Sequence, residues 1–321
     1  MSVCILVFLG MAGASPLAVR AAKLHRLRNT EEPQSPPTFK TSVDLVSISA
    51  FVRDRHGRLV TTLKAADFEV FDKGERRAIV DFQFDRASPV AIAMLVDVSG
   101  SMRVGSKLAF ARRVLEHLVA ELHDGRDEVG LFTFDSVLHA EQPFTVHPAA
   151  IDSTLGDAQP FGSTSLYDAI AATARHLADR PLPRRAIVVF TDGVDTSSAL
   201  TPAEVSGLAS SIDVPVYIAV TVPPIDYALF VDREVSRTAQ SAVDLRDLAS
   251  WTGGDLLWAT SQEGALVRAQ QILAELRHQY LIAIESAGQP EWRPLDVRVR
   301  NRHLTVRTRS GYFSRETPVS K

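Results

Sequence analysis

Residues 90–101 read Val90-Ala91-Ile92-Ala93-Met94-Leu95-Val96-Asp97-Val98-Ser99-Gly100-Ser101. Apolar residues run without a break from Val90 to Val96, which leaves no polar face and suits a strand covered on both sides by helices. The run then stops at a carboxylate and two hydroxyls. Ile187 to Phe190 and Val214 to Val220 share this apolar character, and Val129 to Phe134 reads as a further strand. Between the strands apolar residues recur at helical spacing. Leu108, Ala111, Leu115, Leu118 and Leu122 predict a helix over about 105–123, and Leu166, Ile170, Ala174 and Leu177 one over about 164–179. Ala265 to Leu276 reads as a late helix. The repeated β-α-β order predicts an α/β fold: a doubly wound, mostly parallel sheet with helices on both faces.

The flanks read differently. Val46, Ile48, Ala50 and Val52 alternate with Ser47, Ser49 and Phe51, the period of a half-buried strand, and Ala78, Val80, Phe82 and Phe84 repeat it. Phe68 to Phe71 lead into the turn-rich Asp72-Lys73-Gly74-Glu75, so 68–84 reads as a β-hairpin. Beyond Gln279, Tyr280 to Glu285, Leu295 to Arg300 and Leu304 to Arg309 read as strands, with Asn301-Arg302-His303 as a hairpin connection. The arginines from Arg293 to Arg309 fall at alternate positions and are read as a solvated face guarding an edge, not as a nucleic-acid patch. Isolated hairpins are marginal, so the two flanks are expected to pair into one small all-β module.

The expected organisation is a signal peptide over 1–14, a Pro-rich linker over 15–38, an N-terminal β unit over 39–88, the α/β domain over 89–278, C-terminal strands over 279–313 and a tail over 314–321. Val222 to Ala242, with Pro223-Pro224 and Asp226, reads as an insertion near the strand ends, a surface loop or a specificity loop.

The chain has 321 residues, against a prior of ~150 per domain, and a formal charge of −3. That balance argues against nucleic acid or an anionic membrane as partner. The single cysteine, Cys4, excludes a disulfide framework or a cysteine zinc site. It lies in the apolar Val3 to Met11 stretch before Ala12-Gly13-Ala14, which reads as a signal peptide despite an n-region without Lys or Arg. The stretch is far short of the ~20 residues of a spanning helix, so an exported protein, periplasmic or extracellular, with no transmembrane segment after cleavage is expected.

Three motifs carry oxygen donors at the predicted strand ends: Asp97, Ser99 and Ser101; Thr164 within Phe161-Gly162-Ser163-Thr164-Ser165; and Asp192 within Thr191-Asp192-Gly193. In open α/β sheets ligands bind in the crevice outside the carboxyl ends of the strands. Two carboxylates and three hydroxyls, without His or Cys, form a hard-oxygen set suited to Mg²⁺, or to Mn²⁺ or Ca²⁺. Asp195 and Asp168 are read as a surface carboxylate and a first-turn residue, and His123, His139 and His147 as scattered.

Asp97-x-Ser99-x-Ser101, Thr164 within Gly-Ser-Thr-Ser-Leu-Tyr-Asp-Ala, and Asp192 within Thr-Asp-Gly resemble the metal-ion-dependent adhesion site of von Willebrand factor type A domains, over roughly residues 89–278. Asp67-Phe68-Glu69-Val70-Phe71-Asp72 and Arg309-Ser310-Gly311-Tyr312-Phe313 are similar to the flanks of the VWFA-related proteins described from acidobacteria, whose role is largely undefined. The resemblance implies direct metal ligation by Ser99 and Ser101, Asp97 and Asp192 acting mostly through water, and Thr164 joining when a partner binds. It implies a non-enzymatic protein-binding module whose partner offers an Asp or Glu to the metal. Two alternatives stand beside it: a metal-assisted phosphohydrolase, and a structural envelope protein with a fold-stabilising metal. The first lacks a GxSxG, HExxH or P-loop pattern and a sequence-local base for Ser99.

Overall fold

The computed structural model describes residues 45–314 except 87, 152–158, 222–236, 260 and 287–289, so the stretches read as a signal peptide and linker, the tail beyond Ser314 and most of the 222–242 insertion lie outside the described residues. At the centre is a six-stranded sheet ordered β10-β9-β8-β5-β6-β7. Its strands are β5 Val90–Asp97, β6 Glu128–Phe134, β7 Leu138–Thr145, β8 Arg184–Thr191, β9 Val216–Thr221 and β10 Leu256–Ala259. All neighbours run parallel except β7, which returns antiparallel along β6.

The unbroken apolar run of β5 follows from two cores. Val90, Ile92, Met94 and Val96 face α1 (Lys107–Ala120) and α5 (Gln262–Arg277). Ala91, Ala93 and Leu95 face α2 (Leu166–Ala178), α3 (Pro202–Ser211) and α4 (Arg237–Thr252). Arg237 to Ala242, read from sequence as part of a loop, form the first turns of α4.

Two four-stranded antiparallel sheets accompany this domain. One is ordered β13-β1-β11-β4, from β1 (Leu45–Asp54), β4 (Ile79–Asp85), β11 (Gln279–Glu285) and β13 (Leu304–Arg307). The other is ordered β14-β12-β2-β3, from β2 (Phe68–Asp72), β3 (Glu75–Arg77), β12 (Trp292–Val299) and β14 (Gly311–Phe313). Ile48, Ala50, Tyr280 and Ile282 from the first share a core with Phe68, Val70, Leu295 and Val297 from the second. Strands from both ends of the chain are thus neighbours: β1 pairs with β11 and β13, and β2 with β12.

Several local readings are corrected. The hairpin closed by Lys73-Gly74 joins only β2 and β3, and β4 leaves for the other sheet. A bulge opposite Ala283 and Ile284 skips Val80, so Ile79 packs on the core and Val80 is exposed. Asn301-Arg302-His303 is not a hairpin turn, because β12 and β13 belong to different sheets. Phe51, placed on the polar side by its alternation, is buried with Arg307 over its ring.

Half of the C-terminal arginines are anchors, not solvent-facing guards. Arg293 is buried with Nε 2.8 Å from Asp72 Oδ1. Arg309 donates to Ser210 O and Ser47 O, both at 2.5 Å, tying the α/β domain to β1. Arg307 joins Arg53 and Tyr217 on the buried Glu275 of α5.

Gly254, entering β10, lies so close to β9 that an added Cβ would stand 2.0 Å from the Val216 carbonyl oxygen. Backbone cannot yield as a side chain can. Gly254→Ala is therefore expected to cost about 3 kcal/mol, read as a lower urea midpoint with an unchanged slope.

Candidate metal centre

The central strands β5, β6 and β8 are parallel, so their carboxyl ends open on one edge of the sheet. Asp97, the last residue of β5, is fully buried. Its Oδ1 accepts the Ser99 N–H at 2.8 Å, closing a tight turn, and its Oδ2 accepts the Thr191 hydroxyl at 2.6 Å. The chain continues as a single 3₁₀ turn, Gly100–Arg103, pinned by buried Met102. That turn brings the Ser99 and Ser101 hydroxyls within 3.1 Å, Ser99 buried and Ser101 exposed at the mouth.

Asp192 directly follows β8 and is buried. Its Oδ2 accepts from Lys107 Nζ at 2.8 Å, whereas its buried Oδ1 has no hydrogen-bond partner.

The third motif is held against the first by backbone. Gly100 N–H donates to Gly162 O at 3.1 Å and Phe161 N–H to Val98 O at 2.9 Å. A Cβ on Gly100 would stand 3.3 Å from that carbonyl, which explains a glycine between the two serines. Thr164, which is buried, has its N–H on Thr196 Oγ1 at 2.9 Å, and its carbonyl accepts from Thr196 and Ser197 N–H.

Asp195 and Asp168 do more than their sequence readings assigned. Asp195 Oδ1 accepts the Leu166 N–H at 2.8 Å at the start of α2, and Asp168 accepts the N–H groups of Ala199 and Leu200. Together these bonds lock the opening of α2 to the loop after Asp192.

The electrostatics fit a cation. Burial pushes the Asp97 carboxyl up from 3.8 to about 6, against the lowering effect of its hydrogen bonds from Ser99 and Thr191. A buried carboxylate, an orphaned carboxylate oxygen on Asp192 and two adjacent hydroxyls are donors of the kind that could hold a hard divalent ion. Among the described residues no group of three or more His, Cys, Asp or Glu is placed to hold a metal, so the candidate set counts two carboxylates and depends on the serine hydroxyls for the rest. Two residues at this edge were not singled out from sequence: Thr191, which stands inside the quoted Thr-Asp-Gly, and Lys107, for which no local signal existed.

Residues 92–194, about a third of the chain, match the sequence model of the von Willebrand factor type A domain. No curated protein matches the chain. Among solved structures, BatB from Bacteroides thetaiotaomicron is 20% identical, covering 58% of this chain and 98% of its own, with a TM-score of 0.46. A von Willebrand factor type A protein from Catenulispora acidiphila is 12% identical, covering 82% of this chain and 72% of its own, with a TM-score of 0.49. The vWF domain of the type V pili tip protein Mfa5 from Porphyromonas gingivalis is 12% identical, covering 59% and 96%, with a TM-score of 0.44.

Proposed function

We propose, from the premise that residues 92–194 form a von Willebrand factor type A domain, that this chain is a divalent-metal-dependent protein-binding module of an exported protein. The observation that carries the reading is the gathering of Asp97, Ser99, Ser101 and Asp192 at one sheet edge, with one buried Asp192 oxygen unpartnered. Ser99 and Ser101 would hold the ion directly, Asp97 and Asp192 mostly through water, and Thr164 when a partner is engaged. Bound Mg²⁺, or Mn²⁺ or Ca²⁺, would supply an electrophilic coordination position for a partner's Asp or Glu. Carboxylates kept in the outer shell leave the ion more of its positive charge than direct ligation would. The protein supplies the rest: a buried floor, a fixed serine pair and an exposed mouth.

Capture of a partner from the native envelope with and without EDTA tests the function. Thr164→Ala is expected to keep most Mg²⁺ affinity but to lose partner affinity by tenfold or so, because only a bound-state contact is removed. Partner binding indifferent to EDTA would place recognition elsewhere. Export rests on the Val3 to Met11 run, and a mature N-terminus near Ser15 is the expected result of N-terminal sequencing. Among the described residues no helix is long and apolar enough to cross a membrane.

A further inference from the structure

The first turn of α1 carries a charge of the sign that a helix start disfavours. α2, α3 and α5 carry Asp168, Glu204 and Glu263 in their first turns, whereas α1 begins on Lys107 and, like α4, has no acidic residue in its first turn. A cation there works against the partial positive charge of the unpaired N–H groups. The side chain is nonetheless mostly covered, at 16% exposure, with Nζ 2.8 Å from Asp192 Oδ2 and 3.4 Å from Ser101 O. A long, flexible, strongly hydrated head is thus held in the mouth of the centre by the very carboxylate a metal ion would use.

We propose that Lys107 is a tethered counter-cation of this centre, competing with the divalent ion for Asp192 and released to the rim when the ion binds. The inference rests on the metal-site reading and adds a regulation to it. Without a divalent ion the ammonium compensates one of the two buried carboxylates, so the fold tolerates metal loss. With the ion bound, the ion itself balances both carboxylates and the freed ammonium leaves a net positive mouth. An acidic partner then meets two attractions, the ion and the lysine, neither of which is available before loading. The centre is therefore selective for conditions in which divalent ion is abundant enough to displace a permanently attached rival.

Full-length wild type, Lys107→Met and Lys107→Arg are titrated with Mg²⁺ by calorimetry and with Mn²⁺ by EPR. Lys107→Met is expected to bind both ions about tenfold more tightly, and Lys107→Arg no more tightly than wild type. In EDTA the Met variant should melt below wild type, because Asp192 then has neither cation, and saturating Mg²⁺ should close that gap. If the Met variant does not fold in EDTA, Lys107→Gln takes its place in the Mn²⁺ titration. Equal or weaker Mn²⁺ affinity in the neutral variants overturns the role of Lys107 and leaves the metal centre standing. No Mn²⁺ binding by any form, wild type included, overturns the centre and the lysine's role together.

Discussion

Asp97→Ala is expected to lower Mg²⁺ affinity by about a hundredfold or more, to below calorimetric detection. The carboxylate lies at the floor of the centre, and each of its oxygens organises a different motif, Oδ1 the Ser99 turn and Oδ2 the Thr191 hydroxyl beside Asp192. Alanine removes the charge and both acceptors at once. Asp97→Asn keeps an acceptor for the Ser99 N–H and should fall between the two, which separates loss of charge from loss of shape. Because burial holds this carboxyl at about 6, protons compete with the metal: affinity should fall as pH drops through that value, about tenfold per unit below it. Ion binding favours the ionised form and should move the transition to lower pH as Mg²⁺ is raised. Wild-type metal affinity in Asp97→Ala would remove this centre from consideration.

The largest expected loss of stability is at Arg184→Ala. Arg184, the first residue of β8, is buried with Nε 2.8 Å from Oδ2 of Asp85, the last residue of β4, itself 4% exposed. The pair therefore crosses from the all-β module to the α/β domain. Removing the arginine leaves a carboxylate without its buried charge partner, which costs about 3–5 kcal/mol. Replacing both residues, Asp85→Leu with Arg184→Met, should recover most of that loss, since a buried ion pair is worth little more than well-packed apolar groups. Equilibrium urea unfolding reads both variants. A single variant as stable as wild type would show that the junction does not depend on this pair.

The bonds around Thr164 tie two segments of this sheet edge together. The opening of α2 is tied to residues 195–200 through Thr196, Ser197, Asp195 and Asp168. In the proposed reading, a shift of Thr164 toward an ion would carry that loop with it and couple occupancy to the surface after β8.

What the sequence determined by itself is whatever is written in short-range pattern. The unbroken run of β5, the helical spacing in α1 and α2 and the order of strands and helices specify the α/β sheet, because burial on two faces admits only one residue class at each position. The hard-oxygen character of the strand ends was legible too, since Asp, Ser and Thr bring the same donors wherever they stand. The start of α3 is written in short-range pattern as well: Thr201 and Glu204 form a capping box with Pro202 at its first position. β7 was less legible, because Leu138–Thr145 is a half-exposed edge strand containing Pro143, whose alternation of Leu138, Ala140 and Phe144 is broken by Gln142. Tertiary structure alone decided which distant charges meet. Lys107 and Asp192 are 85 residues apart, Arg184 and Asp85 99, and Arg53 and Glu275 222. No periodicity links such pairs, and an arginine alternating along a strand reads as solvated until the surface that covers it is known. The same holds for Val80 and Ile79, whose exchange of faces is set by a bulge opposite a strand some 200 residues away.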